Sequence, residues 1–354
     1  MATPRRPEFR PTTSADAPAL AALLGSTFGL PATSPTIHPD HLNWKYWLGR
    51  EDWDGSRSFV LARGADLVAH AAVVPGRFTV GGSHFRTLHL IDWVARTDVP
   101  GAGIGLMKFM ARMTDALVAI GGSPATLAIL PTLGYQNCGQ ATRYVRMLRP
   151  TGELTATERL SWRVVPRFVR SLAWRLAAPI RDVPSWRSWP VSGDEAARLP
   201  LPSPGPLGAP VALERVSSDL RHALGCPTAR TALYAVEKVG TTPVRGYFVL
   251  AFVAGQARVA DWWVDSSALS DRRAVLDLAA LRALEDPQAI ELVALSSDDS
   301  LSTALAQSGF HARARFPVQM RATTPATPVP DRLSVQLIDN DAYYLATARI
   351  ERWA

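Results

Sequence analysis

The sequence predicts an α/β (α+β) protein built from two tandem lobes, and three observations carry that prediction. The chain has 354 residues, about twice the length of a common domain. Strand-like and helix-like stretches follow one another in the same order in its two halves. Between the halves, seven prolines fall from Pro184 to Pro210 in a stretch ending LPLPSPGPLGAP, which sustains neither helix nor central strand and reads as a linker.

Composition sets the class. With 47% hydrophobic residues, 19% charged residues and 11 tryptophans, the chain has enough apolar surface to pack along most of its length. Its two cysteines, Cys138 and Cys226, fall one in each half. They give no disulfide framework, so reduced thiols are expected. The N-terminus lacks the apolar core of a secretory signal and no run approaches 18 apolar residues, so a cytoplasmic protein is expected. The net charge of +7 draws anions in general. The arginines are scattered and no zinc-finger or RNP-like pattern occurs, so nucleic acid is not expected as a partner. His38 and His41 form an HxxH with no further ligands, and no metal is expected.

The elements follow in order. Residues 8–10 make a short strand. Thr13 and Asp16 then make a capping pair before Ala17, Leu20, Leu24 and Phe28, which recur at helical spacing. Residues 38–48 (HPDHLNWKYWL) read as a second helix. Residues 58–63 and 67–74, joined by the turn at 64–66, read as a hairpin. The apolar stretch 86–95 (RTLHLIDWVA) runs into Asp98-Val-Pro-Gly-Ala-Gly-Ile-Gly105, after which Met107, Met110 and Met113 recur as a helical core stripe. Residues 116–120 are a strand, 124–133 a short helix closing on Gly134-Tyr135, and 142–148 a last strand.

Residues 159–178 form a basic amphipathic helix, with Val164, Phe168, Leu172 and Leu176 on one face and Arg163, Arg167 and Arg170 on the other. Trp162 and Trp174 flank it. Packing between the lobes is one reading of this helix, and weak contact with a membrane surface is the other. Beyond the linker come strands at 232–239, 244–253 and 257–264, a helix at 271–284, a strand at 290–295 and a helix at 301–307. That helix closes on Gly309-Phe310, as the first half closes on Gly134-Tyr135, which points to an internal duplication.

A strand that enters a glycine turn and then a helix presents backbone N–H groups at the positive end of the helix dipole. Such a turn suits a pyrophosphate. Gly101, Ala102, Gly103, Ile104, Gly105 and Leu106 are the donors expected here; the alternative is that the glycines are plain turn residues.

The order of elements over residues 8–148 resembles the GNAT (GCN5-related) N-acyltransferase superfamily. Its fourth strand leads into a Q/R-x-x-G-x-G/A loop that holds the CoA pyrophosphate. The corresponding run here is Pro100-Gly101-Ala102-Gly103-Ile104-Gly105, with Pro100 in place of Arg or Gln. Residues 41–46 (HLNWKY) and Asp92-Trp93-Val94 look like a GNAT subgroup associated with polysaccharide and cell-envelope gene clusters, and Gly134-Tyr135 matches the family's L-G-F/Y element.

The resemblance implies two GNAT-like lobes, each a mixed, mostly antiparallel central sheet flanked by helices. Residues 1–150 would be the acyl-CoA-binding lobe and 151–210 the basic helix and linker. Residues 211–325 would be a degenerate lobe, since 264–273 (VDSSALSDRR) has no glycine, and 326–354 a tail. Acetyl-CoA or another acyl-CoA is the implied co-substrate, contacted by Val94 and Ala95 of the strand and by the turn. Asp92 is the first candidate base, with burial beside Trp93 and Val94 expected to raise its pKa. His89 is the second. Tyr135 is the candidate acid, because Leu130 stands where the family places a tyrosine. The implied activity moves an acetyl or other acyl group from CoA to an amine of an amino sugar or small metabolite. The alternatives are a FemAB-like transferase using aminoacyl-tRNA and a catalytically inert GNAT-fold binding protein.

Overall fold

The computed structural model describes residues 7–151, 164–203, 211–241 and 243–345. In chain order the strands are β1 (Glu8–Pro11), β2 (Ser58–Arg63), β3 (Asp66–Val80), β4 (Ser83–Ala95), β5 (Ala116–Ile120), β6 (Gln136–Met147), β7 (Trp186–Val191), β8 (Val211–Ala212), β9 (Arg230–Lys238), β10 (Gly246–Val253), β11 (Gln256–Val264), β12 (Glu291–Ser296), β13 (His311–Ala322) and β14 (Leu333–Ser334). The helices are α1 (Ala17–Phe28), α2 (Pro39–Leu42), α3 (Ala102–Met110), α4 (Pro124–Ile129), α5 (Val164–Ala177), α6 (Ser217–Leu224), α7 (Leu269–Leu284) and α8 (Asp299–Gln307).

Twelve of these strands form one sheet in the order β1-β2-β3-β4-β5-β13-β6-β12-β11-β10-β9-β7. The two halves repeat one another strand for strand, and they trade their last strands. β13 of the second half pairs with β5 of the first, and β6 of the first pairs with β12 of the second. β6 and β13 meet antiparallel in the middle. The two lobes expected from the sequence are therefore halves of one sheet, neither of which closes its hydrogen-bond ladder alone.

Two boundaries also differ from the sequence reading. The stretch 151–210 is not all linker: Trp186–Val191 is an edge strand against β9, where Pro190 is tolerated because one side of the strand faces no ladder. It stands to the second half as β1 stands to the first. Within the segment read as a tail, the described residues 326–345 pack on the sheet, since Leu333, Val335, Leu337, Tyr343 and Tyr344 are buried.

Alternating side chains give the sheet two covered faces. On one, Leu106, Met107 and Met110 of α3 pack on Phe59, Leu61, Leu88 and Leu117. The methionine stripe is core, as its spacing predicts. On the other, Leu20 and Leu24 of α1 pack on Val60, Ala62, Ile91 and Val94. In the second half, α7 and α8 cover Phe248, Leu250 and Leu292, while α6 and the segment 333–345 cover Tyr247, Val249 and Val293.

Candidate active site

β4 and β5 run parallel for three residue pairs only, from Thr87↔Ala116 to His89↔Val118, and then part. The divergence opens a cavity of about 210 Å³ bounded by His89, Leu90 and Ile91 of β4, Ile120 and Gly121 at the end of β5, and Asn340 and Asp341. Two residues beyond the last pair β4 carries a bulge, with Ile91 opposite Ala72 and Val94 opposite His70. Asp92, at the bulge, has φ 49°, the only described non-glycine residue with a positive φ. The extra residue turns Ile91 and Asp92 to the same face, which is the face that β4 shares with α1 and α2.

Asp92 is thereby aimed at a one-turn π-helix, Asn43–Trp47, that follows α2. The wide turn buries three consecutive side chains, Trp44, Lys45 and Tyr46. Arg57 holds it, donating from its guanidinium to the carbonyls of Trp44, Lys45 and Leu48. Lys45 Nζ lies 2.6 Å from Asp92 Oδ2 and 3.3 Å from Asp341 Oδ2, and Tyr46 Oη donates to Asp92 at 2.7 Å. Burial pulls the Asp92 pKa up, but the Lys45 ammonium and the two hydrogen bonds outweigh it and hold the carboxyl below its ordinary value. The sequence expectation of a raised pKa is corrected here. Burial beside Trp93 was foreseen, whereas the cation from the π-helical turn was not. Asp341, further from the same ammonium, is held above its ordinary value by burial.

His89 is buried at the point where the strands part, and its Nδ1 lies 2.7 Å from the Asp339 carbonyl oxygen. A carbonyl only accepts, so Nδ1 carries the proton and Nε2 keeps its lone pair. Burial depresses the imidazole pKa, so the ring is neutral near pH 7. His89 lines the 210 Å³ cavity on one side and a smaller one on the other, the latter shared with Lys45, Thr87, Glu214 and Asp219. An adjoining cavity of about 120 Å³ is lined by Asp52, Glu214 and Asp219 together with Arg77 and Arg86, and its carboxylates are ion-paired, Asp52 and Asp219 with Arg50 and Glu214 with Arg77.

The second half builds the same ion-paired carboxylate by different means. β11 and β12 also pair for three residues before parting, and β11 also carries a bulge, between the pairs Leu250↔Val259 and Val249↔Asp261. Asp261 accepts from Arg215 at 2.9 and 3.0 Å and from Tyr247 Oη at 2.7 Å, and Arg215 reaches Asp339 at 2.7 Å. The opening between β11 and β12 is filled by the chain itself. Gln336 hydrogen-bonds both the N–H and the carbonyl of Trp262, and Val335 pairs with Ser297. The N-terminus of α7 is met by its own Asp271, which accepts from Ser266. This matches the glycine-free 264–273 run.

The glycine turn of the first half is more selective than its spacing suggests. Gly101 caps α3 at φ 80° with nothing within 4 Å of a would-be Cβ, so its backbone is open. Gly103 is buried, and a Cβ there would meet the Trp93 ring at 3.1 Å and Ala95 at 3.3 Å. Trp93 Nε1 donates to the Gly103 carbonyl. A Cβ at Gly105 would meet the Phe9 ring at 3.0 Å. These two glycines serve close helix–strand packing, a reason for the missing Cβ that the sequence reading did not foresee. Gly103 and Ile104 lie in the first helical turn, where no earlier helix carbonyl reaches their N–H groups. Ala102 and Leu106 are buried in the core under α3, with Ala95 packed against that core, and the Val94 side chain points to the opposite face. Tyr135 is also in that core, its hydroxyl buried without a hydrogen-bond partner and its pKa raised by burial. It plugs the core where an acid was expected, and Leu130 beside it is buried as the helix cap.

His38 is exposed, whereas His41 is buried between Trp44 and Tyr344. No described helix is long and apolar enough to cross a membrane. What the sequence reading missed are the partners, namely Lys45, Tyr46, Arg215, Asp339 and Asp341. Two signals were present: Asp-Trp occurs at both 92–93 and 261–262, and two aspartates interrupt the apolar run LIDNDAYY at 337–344.

No protein-family profile matches the sequence, and no curated protein matches it. Solved structures do. The chain is similar to Saccharomyces cerevisiae N-myristoyltransferase with bound myristoyl-CoA, with a TM-score of 0.59 and 11% identity over 96% of this chain and 84% of that one. It is similar to a GCN5-related N-acetyltransferase from Anabaena variabilis, with a TM-score of 0.56 and 14% identity over 90% of this chain and 73% of that one. A tandem GNAT protein from the clavulanic acid biosynthesis pathway matches at a TM-score of 0.55 and 12% identity, over 91% of this chain and all of that one. At these identities the likeness is one of fold, and the fold is a tandem GNAT.

Proposed function

We propose that this chain, with its tandem GNAT fold, is an acyl-CoA-dependent N-acyltransferase with one working site, in the first half. The observation that carries the reading is the parting of β4 from β5 at His89, which leads through the Asp92 bulge to a helix N-terminus with an open glycine cap, Gly101. The matching opening of the second half is closed by Val335 and Gln336. Acetyl-CoA or a longer acyl-CoA would supply the activated thioester, lying in the 210 Å³ cavity with its phosphates at the N–H groups of Gly101, Gly103 and Ile104.

His89 is the proton acceptor in this reading, since Nδ1 is fixed and Nε2 keeps its lone pair between the two cavities. The amine loses its proton to Nε2 as the amide bond forms and the C–S bond breaks, and the proton ends on the departing thiolate. Asp92 keeps Lys45 and Tyr46 in place rather than taking the proton. The acceptor approaches through the cavity lined by Trp53, Thr87 and the ion-paired Asp52, Glu214 and Asp219, whose polar groups suit the hydroxyls and amine of an amino sugar or a similar small metabolite.

Calorimetric titration tests this. Acetyl-CoA should bind once per chain, and Gly101→Val, which strains a φ of 80° and covers the open backbone, should weaken it strongly in a folded protein. Absence of binding would favour the second reading, an inert GNAT-fold binding protein, which the packing of Trp93 and Phe9 on Gly103 and Gly105 supports. Aminoacyl-tRNA binding in place of CoA would favour a FemAB-like enzyme.

A further inference from the structure

Helix α5 packs on the two exchanged strands with the face opposite to the one its apolar spacing suggests. Ser171 is fully buried, and Trp174 stacks on the His311 ring at 4.0 Å with the Arg313 guanidinium over it at the same distance. Ala178, just past the helix, closes on Gly309. The apolar stripe is left outside: Val169 is 57% exposed, Leu172 39% and Leu176 72%. The other large exposed apolar side chains among the described residues, such as Phe28 and Val239, stand alone. Scattered single residues need no explanation, whereas three on one stripe of one helix do.

Helical geometry places Val169, Leu172, Ala173 and Leu176 within an arc of about 100°, with Arg175 on one edge. On the other edge Arg170 turns its guanidinium over the Trp174 ring, with Nε and one terminal nitrogen buried. From Val164 to Arg181 the sequence has four arginines and no acidic residue. Arg175 and Arg273 of α7 both lie within electrostatic reach of Arg146, which is itself ion-paired with Asp277. An apolar stripe beside a cationic edge fits one kind of surface in particular. Aliphatic stems lie along the acyl region while guanidinium heads meet phosphate. A protein partner would need a carboxylate placed at each arginine, whereas anionic lipid supplies negative charge everywhere along the edge.

We infer that the outer face of α5 docks this protein on an anionic membrane surface. The contact is peripheral, since the stripe is one helix long and its other side is committed to Trp174 and Ser171. It lies on the sheet face covered by α3, α4, α7 and α8, and so leaves the cavities beside Lys45 and Glu214 on the other face open. This inference does not depend on the acyltransferase reading.

Co-sedimentation of the full chain with vesicles tests it. Vesicles containing phosphatidylglycerol should carry the protein down, and pure phosphatidylcholine vesicles should not. Raised salt should release it, because screening removes the lipid's attraction for the arginines. Leu172→Asp with Leu176→Asp should abolish binding, and Arg175→Gln should weaken it by about fivefold. Val239→Asp, a change at an isolated exposed residue, should leave it intact, and all the variants should keep the parent melting temperature. Failure to bind phosphatidylglycerol vesicles at low salt would overturn the inference. So would binding that survives Leu172→Asp with Leu176→Asp, which would trace it to the net charge of the chain.

Discussion

Asp92 and Asp261 hold the same position in the two halves of the sheet. Each sits at a bulge where its strand has parted from its parallel neighbour, each precedes a tryptophan, and each accepts from a tyrosine hydroxyl and a buried cation. The cations then reach Asp341 and Asp339, two residues apart on one segment. Two buried chains, Asp92–Lys45–Asp341 and Asp261–Arg215–Asp339, thus tie both halves to the same stretch of backbone.

Removing the cation from the second chain should be severe. Arg215→Met strands Asp261 and Asp339 with no countercharge in a buried site, and a loss of about 3–5 kcal/mol is expected in urea unfolding. Combining it with Asp261→Asn and Asp339→Asn should recover part of that loss. An Arg215→Met protein as stable as the parent would mean the ion chain is dispensable.

At the first site the two candidate bases separate by variant. His89→Gln should lower turnover by a factor of about 10² to 10⁴ without changing acetyl-CoA affinity. Because burial depresses the imidazole pKa, the acid limb of the kcat/KM profile should fall below the ordinary histidine value near pH 6.5 and vanish in the variant. Asp92→Asn should cost stability through Lys45 and reduce turnover less than His89→Gln does. The reverse ranking would return the proton to Asp92.

Acid should unfold the protein early. Burial lowers the pKa of His41 to about 3 and of His70 to about 4, and it lowers His222 and His89 as well, so these rings stay neutral in the fold while the unfolded chain takes up protons below about pH 6.5. The stability each contributes is present above that pH and is lost as pH falls toward the folded values. Each ring that stays neutral adds a decline of about 1 kcal/mol per pH unit below roughly pH 6. His41→Gln should remove its own share of that slope and leave the rest, which denaturation at a series of pH values would read.

The first half should not stand alone. A chain ending at residue 184 leaves β5 without β13 and β6 without β12, so it should be insoluble and fail to bind acetyl-CoA. Co-expression with residues 185–354 should restore a soluble complex that purifies together. A soluble, CoA-binding N-terminal half would show that the exchange of strands is not needed to close the sheet.

Much of this architecture was legible in the sequence because it rests on local periodicity. The β2–β3 hairpin, the methionine stripe of α3 and the Gly134-Tyr135 and Gly309-Phe310 closures all stand where the spacing puts them, the two glycines at φ 84° and 79°. The exchange of β6 and β13 was not legible, since either strand satisfies the same ladder and no local pattern says which half it joins. The site divides the same way. His89 and Asp92 show themselves on a strand beside a glycine turn. Lys45, Arg215 and Asp339 lie far apart in sequence, and only the fold brings them to the carboxylates. Gly103 and Gly105 read two ways in the sequence because close packing and phosphate binding both call for a missing Cβ.

The central pairing of β13 also sets a schedule for synthesis. β5 and β6 leave the ribosome early, but the strand that belongs between them is residues His311–Ala322. At ordinary translation rates, on the order of ten to thirty seconds separate the appearance of β6 from that of β13. Throughout that interval the emerging chain carries the apolar β5 and the longer β6 with open edges, the condition under which nascent chains pair wrongly or with one another. Slow, non-local closure of the sheet is then the last event of folding, and the yield of this protein in a cell should depend on chaperones more than its final stability would suggest.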